Sequence, residues 1–254
     1  MKRLFISLIA AFACSAVSFS QNAYEPKTFT DSEGYNVNYQ ELVPESVKPG
    51  KKYPLIIFMH GAGERGSDNK LQLLIGAQMF LNPVNREKYP AYFLFPQCPK
   101  DGYWAYSQRP SSFDRLTADE EMPPIFKAVK GLIDSYIANP DIDKKRVYII
   151  GLSMGAMATY DMVIRFPEIF AAAIPICGYV KPDRLASVKD VSFRIFHGDA
   201  DPVVPVEGSR NAYKALKKAG VDVELYEFPG CDHLSWNPAF NRPDFMEWLF
   251  KQKK

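Results

Sequence analysis

The chain reads as an α/β protein: a mostly parallel central sheet flanked by helices on both faces. Three observations point there. Apolar runs such as "YPLIIFMH", "AYFLFP" and "RVYIIG" show no polar alternation, as strands buried on both faces require. Helical patterns separate these runs along the chain. Glycine-rich polar stretches follow the strands, and ligands in parallel sheets bind beyond the strands' carboxyl ends.

Each element has its own justification. "YNVNYQELVP" alternates and suggests an edge strand of an opening hairpin. "YPLIIFMH" is the first core strand, ending at His60-Gly61, and "AYFLFP" is the next. A long loop from Gln97 to about Thr117 carries Trp104, Tyr106 and Phe113. "EMPPIFKAVKGLIDSYIANP" is a helix with Pro123 and Pro124 in its first turn, stopped at Asn139-Pro140. "RVYIIG" is the third buried strand, and "AMATYDMVIRFP" is a helix ending near Pro167. "FAAAIPIC" and "SFRIFHG" are further buried strands. "SRNAYKALKKAG" is amphipathic, with Gly220 past its end. "VDVELYEFP" is the last strand and "PDFMEWLFKQ" the last helix.

With 254 residues, 47% hydrophobic and 24% charged, the chain suits one α/β domain with a substantial core. No internal repeat or low-complexity linker divides it, so residues 21–254 are expected to form a single domain. Residues 1–20 read as a secretory signal: a basic "MKR", the apolar "LFISLIAAFACSAV", and small residues in "SFSQ" before Gln21. A buried first helix or a membrane anchor is the competing reading, but the apolar run is short for a span. The protein is therefore expected to be secreted or periplasmic, with no stable membrane insertion once the signal is removed. Cys14 after "AFA" weakly resembles a lipoprotein box, but Phe12 stands where a small residue is usual.

The net charge is +2, and Lys2 and Arg3 supply two of the positive charges; without them 29 basic residues face 29 acidic ones. Such a chain offers no electrostatic case for binding nucleic acid or an anionic membrane. Cys98, Cys177 and Cys231 remain in the mature chain, an odd number, so at least one is a free thiol. None is spaced as a zinc ligand relative to another Cys or His.

Four strand-end stretches carry the chemistry: "HGAGERG", "GLSMG", "HGDADPVVP" and "GCDHLSW". A serine hydroxyl is a poor nucleophile at neutral pH. It needs a base, an acid to orient that base, and donors for the oxyanion. In "GLSMG" Ser153 is either a simple helix cap or the nucleophile of a strand-to-helix elbow. A base that follows both nucleophile and acid in the chain must be His233, since the other histidines are His60 and His197. Those two each precede a glycine at a strand end, where an imidazole braces a turn. Asp201 is the preferred acid, farther out on its loop than Asp199, which is placed to cap the turn; Asp232 adjoins His233 too closely. The oxyanion donors are the main-chain N–H of Met154 and one from "HGAG", that of Ala62 with Gly63 as the alternative.

Taken together, "GLSMG", "HGDADPVVP" and "GCDH" resemble the nucleophile, acid and histidine motifs of the α/β-hydrolase superfamily, in order, across nearly all the mature chain. "HGAGERGSDN", "FPQCP" and "GLSMGAMATYDM" resemble more narrowly secreted bacterial esterases of the carbohydrate esterase family 1 and feruloyl-esterase group, and prolyl oligopeptidase-like hydrolases. The resemblance implies an acyl-enzyme on Ser153, His233 as general base and then acid, Asp201 holding the imidazole, and no metal or organic cofactor. It implies acetyl or feruloyl esters of plant cell-wall polysaccharides, or related small esters, as substrates. Serine peptidase or amidase activity is the alternative, and a non-catalytic carbohydrate-binding module the alternative from another class. Trp104, Trp236 and Glu64 are candidate substrate contacts. Glu64 could instead pair with Arg65 as loop scaffolding.

Overall fold

The computed structural model describes residues 23–106 and 121–254. The expected leader, Cys14 and Phe113 lie outside them. Eight strands form one sheet among the described residues: β1 (Glu25–Thr30), β2 (Asn36–Leu42), β3 (Tyr53–Met59), β4 (Tyr92–Pro96), β5 (Ile142–Leu152), β6 (Ala172–Ile176), β7 (Ser192–Gly198) and β8 (Val223–Phe228). Their order is β1-β2-β4-β3-β5-β6-β7-β8. The β1–β2 and β2–β4 pairings are antiparallel, and the rest are parallel. This is the α/β-hydrolase fold.

The unbroken apolar runs follow from burial on both faces. Leu55, Ile57, Met59, Val147, Ile149, Phe193 and Ile195 belong to one core. Ile56, Phe58, Tyr148, Ile150 and Phe196, alternating with them, belong to the other. Successive strand residues point to opposite faces, so every position must be apolar. Helices α3 (Pro124–Ile137), α4 (Met154–Arg165) and α5 (Glu207–Lys218) cover the first core. Helices α1 (Ala77–Leu81), α6 (Trp236–Phe240) and α7 (Phe245–Lys251) cover the second. The short α2 (Pro83–Lys88) follows α1, and its Asn82 cap accepts the Val84 N–H.

Two readings change. "YNVNYQELVP" is an inner strand, because β2 pairs on one side with β1 and on the other with β4. The edge is β1, whose polar side chains reach β2 through Thr28–Asn38 and Thr30–Asn36 hydrogen bonds. Helices α1, α2 and α6 are too short to leave a helical period in the sequence.

Close packing of α4 on the sheet sets the site. A Cβ on Gly155 would lie 1.9 Å from the Met59 carbonyl oxygen, and one on Gly151 would lie 2.2 Å from the Gly155 oxygen. Gly63, by contrast, faces open space. Gly155→Ala should therefore lower stability by about 1–3 kcal/mol or more, and Gly63→Ala should stay within about 0.5 kcal/mol of the wild type. Urea unfolding of both variants, with matched m-values, checks the contrast.

Candidate active site

At the carboxyl end of β5, Ser153 adopts φ 53° and ψ −117°, a conformation costly for a residue with a Cβ. Its N–H donates to the Ile176 carbonyl at 2.9 Å, and its own carbonyl accepts from Ala156 and Met157. The turn is thus held by neighbours on both sides, and the hydroxyl stands clear of the helix. No side-chain capping bond is made, which disposes of the simple helix-cap reading.

The structure brings Asp201 and His233 to that hydroxyl. His233 Nδ1 lies 2.7 Å from Asp201 Oδ2, and His233 Nε2 lies 2.9 Å from Ser153 Oγ. Burial pushes the Asp201 carboxyl up, but the His233 bond and the N–H groups of Val204 and Val203 outweigh it and hold it below the usual range. An ionised carboxylate only accepts, so Nδ1 carries the proton and Nε2 accepts from the Ser153 hydroxyl. The Asp201 side chain is 0% exposed and that of His233 is 17% exposed, and Ser153 is half-buried, so solvent reaches the relay at the imidazole and the serine but not at the acid.

Two loops must register for this contact. A Cβ on Gly198 would strike the Cys231 carbonyl oxygen at 2.2 Å, so only glycine lets the end of β7 touch the histidine loop. There the Ala200 N–H donates to the Cys231 carbonyl. Asp199 ties the same two loops by accepting the Gly230 N–H at 2.6 Å. Asp232 accepts from the Leu234 N–H within its own turn.

Met154 and Ala62 begin α4 and a short 3-10 turn, positions whose N–H groups lack intrahelical acceptors. The 3-10 turn is braced from below. His60 Nε2 accepts the Cys98 N–H at 2.9 Å, so Nδ1 donates to the Gly61 carbonyl at 2.6 Å. Burial pushes this imidazole down to about 4. Arg65 grips the Ala62 carbonyl at 2.9 Å and the Gly102 carbonyl at 3.2 Å, with its guanidinium 5.0 Å from the Tyr103 ring centre.

The candidate substrate contacts divide. Trp104 is completely buried, and its Nε1–H donates to the His60 carbonyl at 3.0 Å. It supports the turn at Ala62 and has no ring face free for a ligand. Glu64 turns inward and makes no pair with Arg65. Its Oε2 is buried without a hydrogen-bond partner among the described residues, and burial pushes the carboxyl up. Trp236 stays at the site, half-buried and edge-on to His233 at 5.5 Å. Sequence reasoning passed over Val203 and Leu234, exposed apolar residues at 54% and 47% that flank Asp201 and His233. Their adjacency to those residues was the available signal. Met157, one turn along α4, receives a 2.9 Å bond from the Tyr106 hydroxyl.

Asp201 and His233 also cluster with buried Cys177, their ligating atoms within 4.8 Å of one another. This donor set fits a proton relay better than a cation. Both His233 nitrogens are engaged, and burial pushes the Cys177 thiol up, away from the thiolate a metal requires. Cys98, Cys177 and Cys231 are all free thiols. Among the described residues no helix is long and apolar enough to cross a membrane.

A strained serine on a strand-to-helix elbow, bonded to a histidine that is bonded to a sealed aspartate, defines the serine-hydrolase class on this fold. Residues 43–243 match the phospholipase/carboxylesterase family, and the chain belongs to it. It is 24% identical over 199 residues to "Carboxylesterase SOBER1" of Arabidopsis thaliana, covering 70% of this chain and 82% of that one. It is 28% identical over 210 residues to an "Endo-1,4-beta-xylanase/feruloyl esterase" of Xylanibacter ruminicola, covering 79% of this chain but 27% of the relative. The crystal structure of a thermostable esterase superposes with TM-score 0.84 at 38% identity, over 92% of this chain and 64% of that one. The chain thus spans less than two thirds of that esterase, and only 12% of a poly(3-hydroxyalkanoate) depolymerase from Paucimonas lemoignei that matches over 51 residues.

His60 predicts a pH dependence of stability. Between the ordinary imidazole value of about 6.5 and the buried value of about 4, the unfolded chain binds a proton that the folded chain refuses. Stability therefore falls as pH drops through that window, by roughly 3 kcal/mol at full extent. Urea titrations from pH 7 to 4 should show this slope, and His60→Gln should reduce it, leaving the share that the depressed His197 contributes with the same sign.

Proposed function

We propose that this protein is a serine carboxylic-ester hydrolase working through an acyl-enzyme. The observation that carries the reading is the unbroken path from Ser153 Oγ through His233 to Asp201, at 2.9 and 2.7 Å. Ser153 Oγ attacks the ester carbonyl while Nε2 takes its proton. The carbonyl oxygen gathers charge and is met by the N–H groups of Met154 and Ala62. Such donors each contribute about 10²–10³ in turnover because they are fixed before charge develops. The intermediate collapses, and the imidazolium returns its proton to the departing alkoxide. Water then repeats the sequence against the acyl group.

For the substrate we propose acetyl or feruloyl esters on plant cell-wall polysaccharides, met by an exported enzyme whose leader is residues 1–20. Support comes from the similarity to the xylanase/feruloyl esterase and from the apolar rim of Trp236, Val203 and Leu234 beside the relay. A small aromatic or acetyl group suits those apolar side chains.

Ser153→Ala should cut hydrolysis of p-nitrophenyl acetate by about 10⁴-fold or more, and a fluorophosphonate should label Ser153 alone. Methyl ferulate and acetylated xylan should be turned over faster than a proline-containing chromogenic peptide. Peptide turnover well above every ester would replace this reading with a peptidase. A folded preparation inert toward all four would leave a binding module.

A further inference from the structure

The Asp201 oxygen that receives His233 also lies beside a second histidine. His197, on β7 and completely buried, places Nε2 3.0 Å from the Val204 carbonyl and 3.2 Å from Asp201 Oδ2. Its Nδ1 lies 2.7 Å from Ser209 Oγ on α5. A carbonyl can only accept, so Nε2 carries the hydrogen. Burial holds the ring neutral, with its pKa pushed down. Nδ1 is therefore bare and accepts from the Ser209 hydroxyl. One tautomer and one ring orientation satisfy both partners.

This arrangement fixes the acid in two ways. The Nε2–H bond to Val204 pins the turn whose N–H groups at Val203 and Val204 hold Asp201 Oδ1, at 2.8 and 2.9 Å. The same Nε2 stands 3.2 Å from Oδ2, the oxygen that receives His233, while its N–H is directed at the Val204 carbonyl. A neutral ring suits that place. It steadies the carboxylate without adding a cation that would repel the His233 imidazolium formed during turnover.

We propose that His197, locked by Ser209, is a positioning residue that acts through Asp201 on the His233–Ser153 pair. The proposal rests on the ester-hydrolase reading for its effect on rate, but not for its effect on the Asp201–His233 hydrogen bond. Two readouts therefore test it: kcat and KM on p-nitrophenyl acetate, and the low-field proton resonance of the His233 Nδ1–H. In His197→Phe, kcat should fall about 10–100-fold with KM within about twofold, and the resonance should move. His197→Gln, which restores an amide donor, should recover a substantial part of kcat. Ser209→Ala keeps the imidazole and its tautomer but removes the donor to Nδ1 and loosens the ring's orientation, and should cost a few-fold in kcat with a smaller displacement of the resonance. It also carries the test should His197→Phe fail to fold.

Folded variants that lose thermal stability yet keep wild-type kcat and an unmoved resonance would overturn the proposal, since a purely structural histidine behaves that way. Should the wild type show no ester turnover while the resonance still moves in the variants, the positioning role stands and the ester reading falls.

Discussion

The closeness of α4 to the sheet is the constraint from which the site follows. No side chain fits at Gly155 or Gly151, because the helix backbone lies against the Met59 carbonyl and the turn doubles back on β5. The chain must pass from strand to helix within one residue. That residue, Ser153, takes the strain as a positive φ. A serine in relaxed geometry would lie along the helix start and satisfy its own backbone. Here the hydroxyl is pushed outward, and the two buried cores on either face of the sheet supply the stability that keeps it there.

The same logic governs the two loops opposite. Asp201 is sealed from solvent yet charged, an arrangement that needs compensation on every side. It has that compensation in two main-chain N–H groups and the His233 N–H, with the neutral His197 ring 3.2 Å from the same oxygen. Gly198 and Asp199 bring the histidine loop into register against this anchored acid. The imidazole and the serine are the partly exposed links, and the acid is the sealed one. The other two histidines show what burial does to the same side chain: His60 and His197 are held neutral and serve as hydrogen-bond struts.

Aromatic residues near the mouth have unequal standing, and the difference lies in depth. Trp104 and Trp236 look alike as loop tryptophans. One is a strut beneath the Ala62 turn, and the other stands beside His233. Glu64 likewise belongs to the interior of its turn. Beside the relay, Trp236 lies edge-on to His233, and Val203 and Leu234, exposed apolar residues next to the acid and the histidine in the chain, were not marked by the sequence.

The sequence by itself determined the parallel sheet, because strands buried on both faces must be apolar throughout, as "YPLIIFMH" and "RVYIIG" are. It also pointed to Ser153, His233 and Asp201 as candidates through their glycine-rich strand-end settings and their chain order, while only the fold brings the three within hydrogen-bond reach. Only the tertiary structure decided that β2 is an inner strand, that Trp104 and Glu64 turn inward, and that His197 backs Asp201. Those outcomes depend on which partner occupies the other side of a residue. Partners distant in sequence are chosen by packing and hydrogen-bond satisfaction across the whole fold, and no local pattern records that choice.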